Sequence, residues 1–184
     1  MGDYAKNNTL SAFGDPLIIR YRGLYDYDGL LSLIRGYFAE QELFTQEPKF
    51  KFKQGGGGAE ADFRIEGERL ISSYIKVYLK VDGHAWDVKR KTVEIDGEKK
   101  VMTEGKIQLI LASKVFFDYR EEFNSENSKN KANAALKKFM KSRLDVPYTG
   151  MRFAENYVDG RVFLRGLVNG LDKAIKEHLR MECY

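Results

Sequence analysis

The chain has one cysteine, Cys183, in 184 residues, which excludes an intrachain disulfide and any multi-cysteine metal site. Histidine is almost as scarce. His84 and His178 show neither HxxxH nor ExxH spacing, so a dedicated transition-metal site is not expected. With no GxSxG elbow and no credible Cys/His pair, nucleophilic catalysis has no visible apparatus. No apolar run approaches the roughly 20 residues of a membrane span. The first twenty residues lack the basic-then-apolar layout of a secretory signal, and Lys6 stands where a myristoylation signal needs Ser or Thr. The expectation is cytoplasmic synthesis without a signal peptide, with a virion as the alternative destination, no membrane and no cofactor. Charge is nearly balanced. The 31 Lys and Arg residues against 27 Asp and Glu leave +4, well short of a dedicated nucleic-acid binder.

What is present suits a globular chain. Hydrophobic residues make up 43%, and 12 Phe, 11 Tyr and one Trp can fill a core or anchor an interface. A chain of this length reads as one domain, spanning 17–184, that buries roughly 70% of its unfolded surface. Residues 1–16 are polar and almost without periodicity, and are expected to form an N-terminal arm. An ordered arm this polar needs something outside its own domain to hold it.

Most of the β signal lies between Ala59 and Tyr119. Ile75, Val77, Leu79 and Val81 alternate with Tyr74, Lys76, Tyr78 and Lys80, the period of a half-buried strand. Asp82-Gly83 reads as its end, Ala85 to Ile95 as the next strand, and Asp96-Gly97 as a hairpin turn. After Glu104-Gly105, the residues Ile107, Leu109, Leu111, Val115, Phe117 and Tyr119 share one face of a long run. Earlier, Leu17 to Gly23 reads as a strand. Asp26 or Asp28 caps a helix carrying Leu30, Leu33, Ile34, Tyr37 and Phe38, with Gly36 suggesting close packing. Lys49-Phe50-Lys51-Phe52-Lys53 reads as an edge strand guarded by lysine, and Gly55 to Gly58 as a hairpin loop. The glycine run is no phosphate loop, because strand follows where a Walker motif requires GK[ST] and a helix.

Two C-terminal helices are expected. Residues 128–144 carry an apolar stripe with Lys129, Lys131, Lys137, Lys138, Lys141 and Arg143 around it. The last helix carries Phe163 or Leu164, Leu167, Val168, Leu171, Ile175, His178 and Leu179. Its Gly166 and Gly170, four apart, suggest close approach of another backbone. The fold expected is α+β: a curved antiparallel sheet of about six strands, with one N-terminal and two C-terminal helices on one face. That order is similar to the helix-grip arrangement, in which a sheet wraps a long C-terminal helix.

The stretch Tyr21-Arg22-Gly23-Leu24-Tyr25-Asp26-Tyr27-Asp28-Gly29-Leu30 resembles the opening signature of a family of small archaeal proteins. The likeness continues through Gly58-Ala59-Glu60, Trp86-Asp87-Val88-Lys89, Asp96-Gly97-Glu98-Lys99-Lys100 and Asp118-Tyr119, and fades in the C-terminal helices. The glycine run and the N-terminal arm depart from the family pattern. The resemblance implies one coherent domain of archaeal or archaeal-virus origin. It carries no established activity and no catalytic residues.

Three functional classes follow. The leading one is a non-enzymatic protein that associates with copies of itself, as in a filament, sheath or virus particle, through Tyr4, Leu10, Phe13, Phe50, Phe52 and Trp86. The second is a ligand-binding module with an apolar pocket between sheet and C-terminal helix. The third is nucleic-acid binding by the basic helix 128–144. Asp26 and Asp28 could act as paired carboxylates, but helix capping is the simpler role. His178 reads as a satisfied boundary histidine, and His84 as a solvent-facing turn residue.

Overall fold

The computed structural model describes residues 9–11, 15–55, 58–71, 75–95, 98–117 and 154–181. Their elements run β1 (Thr9–Ser11), β2 (Leu17–Tyr25), α1 (Tyr27–Glu40), β3 (Phe44–Gly55), β4 (Gly58–Leu70), β5 (Ile75–Ile95), β6 (Glu98–Phe117) and α2 (Ala154–His178). The architecture is α+β with an antiparallel sheet. β3, β4, β5 and β6 lie side by side in chain order, while β1 and β2 both pair with the far edge of β6. β1 sits against Lys114 to Phe116 and β2 against Thr103 to Leu111. Six strands therefore fill five positions across the sheet, not six. The described residues hold two helices; the third expected helix, 128–144, lies outside them.

Alternation decides which face is buried. Ile75, Val77, Leu79, Val81 and Ala85 of β5 and Ile107, Leu109, Leu111 and Val115 of β6 turn one way and are buried. Ile19 and Tyr25 of β2 and Ala61, Phe63 and Ile65 of β4 join the same core. α1 and α2 cover that face. Leu30, Leu31, Ile34 and Phe38 of α1 are buried, as are Leu164, Leu167, Val168, Leu171 and Ile175 of α2. Asp26 caps α1, its Oδ1 accepting from the Gly29 amide at 2.8 Å, and Asp28 sits exposed in the first turn. His178 fills the boundary place expected of it, its Nε2 3.1 Å from the Asp26 carbonyl oxygen.

Two expected turns are continuous strand. β5 runs 21 residues straight through Asp82-Gly83, and β6 runs 20 through Glu104-Gly105. Both glycines are there for space. A Cβ on Gly83 would run into the Phe63 ring from β4, and one on Gly105 would meet the Trp86 carbonyl oxygen at 3.1 Å. His84 is accordingly a strand residue. The Asp96-Gly97 signal fares better, since Ile95 pairs with Glu98 and only those two residues lie between. No described residue comes within 4 Å of a would-be Cβ on Gly36, so it marks no close packing among them. In α2, Gly166 is equally open. Gly170 is approached by a side chain, Tyr37, whose hydroxyl donates to the Leu167 carbonyl at 2.8 Å.

Two bulges, one in β3 and one in β5, shift the register by one residue, the second in both ladders of β5. At Glu47-Pro48 of β3 the bulge removes the need for a donor that proline lacks. The Arg35 guanidinium of α1 clamps Glu47 there through two bonds of 2.6 and 2.9 Å. At Trp86–Lys89 of β5 the extra residue is Asp87, with φ +59. Such a conformation disfavours most side chains and is commonest for Asn, Asp and Gly.

Two buried hydroxyls have no hydrogen-bond partner among the described residues. Tyr25 is 2% exposed and stacked edge-on against Tyr21, and its hydroxyl is one of them. Burial, with a smaller push from Tyr27, drives its pKa well above the usual phenol range. The Tyr27 hydroxyl is likewise buried without a partner. Removing such a hydroxyl while keeping the ring should relieve a desolvation cost of about 1 kcal/mol or more. Tyr25→Phe is expected to raise the urea midpoint; a lower midpoint would contradict this account of the site.

Candidate interaction surface

The sheet leaves three lengths of backbone edge unpaired by other described strands, and they differ in chemistry. The longest is β3, bound to β4 on one side only. Phe50 and Phe52 stand opposite Phe63 and Ala61, so they point to the helix side of the sheet. Neither is covered: they are 57% and 58% exposed. Lys49, Lys51 and Lys53 point to the outer face, opposite Arg64, Asp62 and Glu60. Phe44, before the bulge, is 66% exposed on that outer face. It borders a depression of about 100 Å³ with Gln46, Glu66, Gly67, Glu68 and Tyr78, below the roughly 300 Å³ of small-molecule sites.

The outer face is tied by charge, not by apolar burial. Asp62 of β4 is bonded by His84 Nδ1 and by Lys49 at 3.2 Å. Asp82 of β5 takes Arg64 and Lys80, and Glu68 takes Lys76 at 3.0 Å. The hydrogen bond to His84, then those of Lys49, hold the Asp62 carboxyl below the usual range despite some desolvation. Burial alone would raise Asp82, but Lys80 and Arg64 outweigh it and its pKa is lowered. Trp86 is half-buried on this face, its ring stacked on His84 at 5.1 Å and 28°. His84 Nε2 has no hydrogen-bond partner among the described residues, and no nucleophile completes the Asp62–His84 pair.

The second edge is the free side of β2, where Arg20 and Arg22 point outward with Ile18 and Leu24. The third belongs to a hairpin arm. β4 stops pairing at Val88 and β2 at Thr103, yet β5 and β6 continue together to Ile95 and Glu98. Seven residues of β5 thus project past β4, and five of them, Lys91 to Ile95, roughly 17 Å of strand, project past both neighbours. On the outer face this arm and its root carry Lys89, Lys91, Lys100, Lys106, Arg20 and Arg22 against the carboxylates Asp87 and Glu104.

The residues expected at an assembly interface do not form one patch. Phe50 and Phe52 sit together on the helix side of β3, while Trp86 lies on the opposite face. Leu10 belongs to β1 and pairs with Val115. Tyr4 and Phe13 lie outside the described residues, as do Lys129, Lys131, Lys137, Lys138, Lys141 and Arg143 of the expected basic helix. Sequence reading placed a hairpin turn at Asp96-Gly97 but not the distance by which the polar ribbon of Lys89-Arg90-Lys91 and Lys99-Lys100 outruns its neighbours. Among the described residues no three His, Cys, Asp or Glu side chains gather as a metal site would need, and no helix is long and apolar enough to cross a membrane. The chain matches no protein-family model, no curated protein and no solved structure.

The charge ladder has a pH signature. Asp62, with its lowered pKa, contributes stability above the ordinary carboxylate value near 4, and that contribution fades as pH falls through the lowered value. Asp62→Asn should cost no more than about 1 kcal/mol at neutral pH, because the pair is largely exposed. Urea unfolding at about pH 2 should bring mutant and parent together. A mutant as stable as the parent at neutral pH would show that the ladder contributes nothing.

Proposed function

We propose that this chain is a non-enzymatic interaction protein that associates with copies of itself by strand pairing, as the subunit of an assembly such as a filament, sheath or virus particle. The observation that carries the reading is the extent of unpaired edge, on β3, β2 and the hairpin arm, in a domain whose outer face is already ion-paired. Edges of this length are the usual template for adding a strand. Exposed Phe50 and Phe52 supply apolar area beside one of them. The ligand-pocket reading has less support, because the described helix–sheet interface is filled: Phe63 lies over Gly83, Phe38 over Gly67 and Tyr37 over Gly170. Sedimentation velocity over a wide concentration range is the test. The weight-average mass should rise with concentration. A monomer at every concentration would remove the proposal.

A polyanion partner has support of its own in the cations Arg20, Arg22, Lys89, Lys91, Lys100 and Lys106 on one corner of the outer face. Retention on duplex DNA should then fall steeply between about 50 and about 200 mM salt. Reversing Arg22, Lys89 and Lys100 to Glu should abolish retention even at the lower salt; unchanged retention would exclude this corner.

A further inference from the structure

We infer that the hairpin arm is the self-association element, and that two copies pair antiparallel through the free edge of β5 about a two-fold axis at Thr92. This rests on the self-association reading and adds to it the edge, the register and the symmetry. On β5 a two-fold register sets opposite charges face to face, whereas registers centred on the middle of the other long edges oppose like charges. An isologous contact sets each residue against its own mirror position in the second copy. On β3 that places Lys51 against Lys51 and Lys49 against Lys53. On β2, centred at Tyr21, it places Arg20 against Arg22. On the β6 side of the arm, centred at Lys100, it places Lys100 against Lys100. Like charges directly opposite are unfavourable in all three.

On β5 the outcome reverses. With Thr92 facing the partner's Thr92, Arg90 faces the partner's Glu94 and Glu94 faces the partner's Arg90. Arg90, Thr92 and Glu94 are two apart, so they share both a face and a hydrogen-bonding phase. Their partners within the arm are Thr103, Val101 and Lys99, which puts all three on the helix-side face of the sheet. Each is exposed, and among the described residues neither Arg90 nor Glu94 makes an ion pair. In the same register Lys91 stands over the partner's Val93, where its aliphatic stem covers a half-buried apolar side chain. Among the described residues access is open as well. β4 ends beside Val88 in glycine, and Gly55 pairing with Gly58 leaves no side chains there to obstruct a strand laid along Lys89 to Ile95.

The test is a charge swap read by sedimentation equilibrium. Arg90→Glu alone sets Glu against Glu twice across the axis, and Glu94→Arg sets Arg against Arg. Each should weaken dimerisation by about tenfold or more. The double variant Arg90→Glu/Glu94→Arg restores both pairs in reversed order and should recover the parent affinity. A second measurement uses a Cys183→Ser background. Thr92→Cys should oxidise to a covalent dimer, because directly opposite Cα atoms lie about 4.5–5.5 Å apart, within disulfide reach. Val101→Cys, equally exposed but separated from its mate by three strand spacings of about 4.8 Å each, should not. If the protein associates but both single reversals associate like the parent, or the double variant fails to recover, the register is wrong while self-association stands. If no association is seen at any concentration, both fall together.

Discussion

Everything else in this molecule depends on the ladder between β5 and β6. These two strands of about twenty residues share one alternation, and every second side chain along their middle is removed from water. That shared phase fixes where β2 and β4 must pair, which face α1 and α2 cover, and where the cover ends. Slipping the register by one residue would turn Val77, Leu79, Leu109 and Leu111 outward together, so the ladder is held by its whole core and not by any one contact. Where β5 must add a residue, at Asp87, the phase is kept because β6 is straight through Gly105 and the arm resumes the same alternation beyond the bulge.

The two faces are stabilised by different physics. The helix side is apolar and closely packed, and substitutions there act through volume. The outer side is built from cross-strand pairs of opposite charge, Lys49 to Asp62, Arg64 to Asp82 and Lys76 to Glu68. Each contributes little, yet together they leave few unpaired charges on the middle of that face. The unmatched cations collect instead toward β2 and the root of the arm.

Much of the core was legible because burial follows period. The stripe of α2 from Leu164 to Leu179, the cap at Asp26 and the alternation of Ile75 to Val81 all appear in the structure as the sequence spaces them. What was not legible was glycine used for space. Asp82-Gly83 and Glu104-Gly105 carry the local signature of turns, and only the Phe63 ring and the bulge backbone, both distant in sequence, make them strand. Merging those segments is what produces two strands long enough to outrun their neighbours, so the arm could not be read without them. Phe50 and Phe52 are exposed and Trp86 is half-buried, and strand alternation along β3 and β5 sets them on opposite faces of the sheet. His84 faces solvent as its spacing suggests, but on a strand and not in a turn, and its partner, Asp62, is on another strand.

The order in which the chain delivers its parts bears on how it is made. All six described strands and α1 precede residue 118, whereas α2, which packs on β5, β6 and α1, begins at Ala154. A ribosome extending the chain at about 5–20 residues per second therefore exposes the sheet for seconds before Leu164 to Leu179 emerge to cover it. During that interval Val77, Leu79, Leu109 and Leu111 form an apolar surface bordered by unpaired edges, the combination from which intermediates aggregate. The lysines of β3 and the arginines of β2 lie on the borders of that temporary surface, where like charge opposes strand pairing between two such chains.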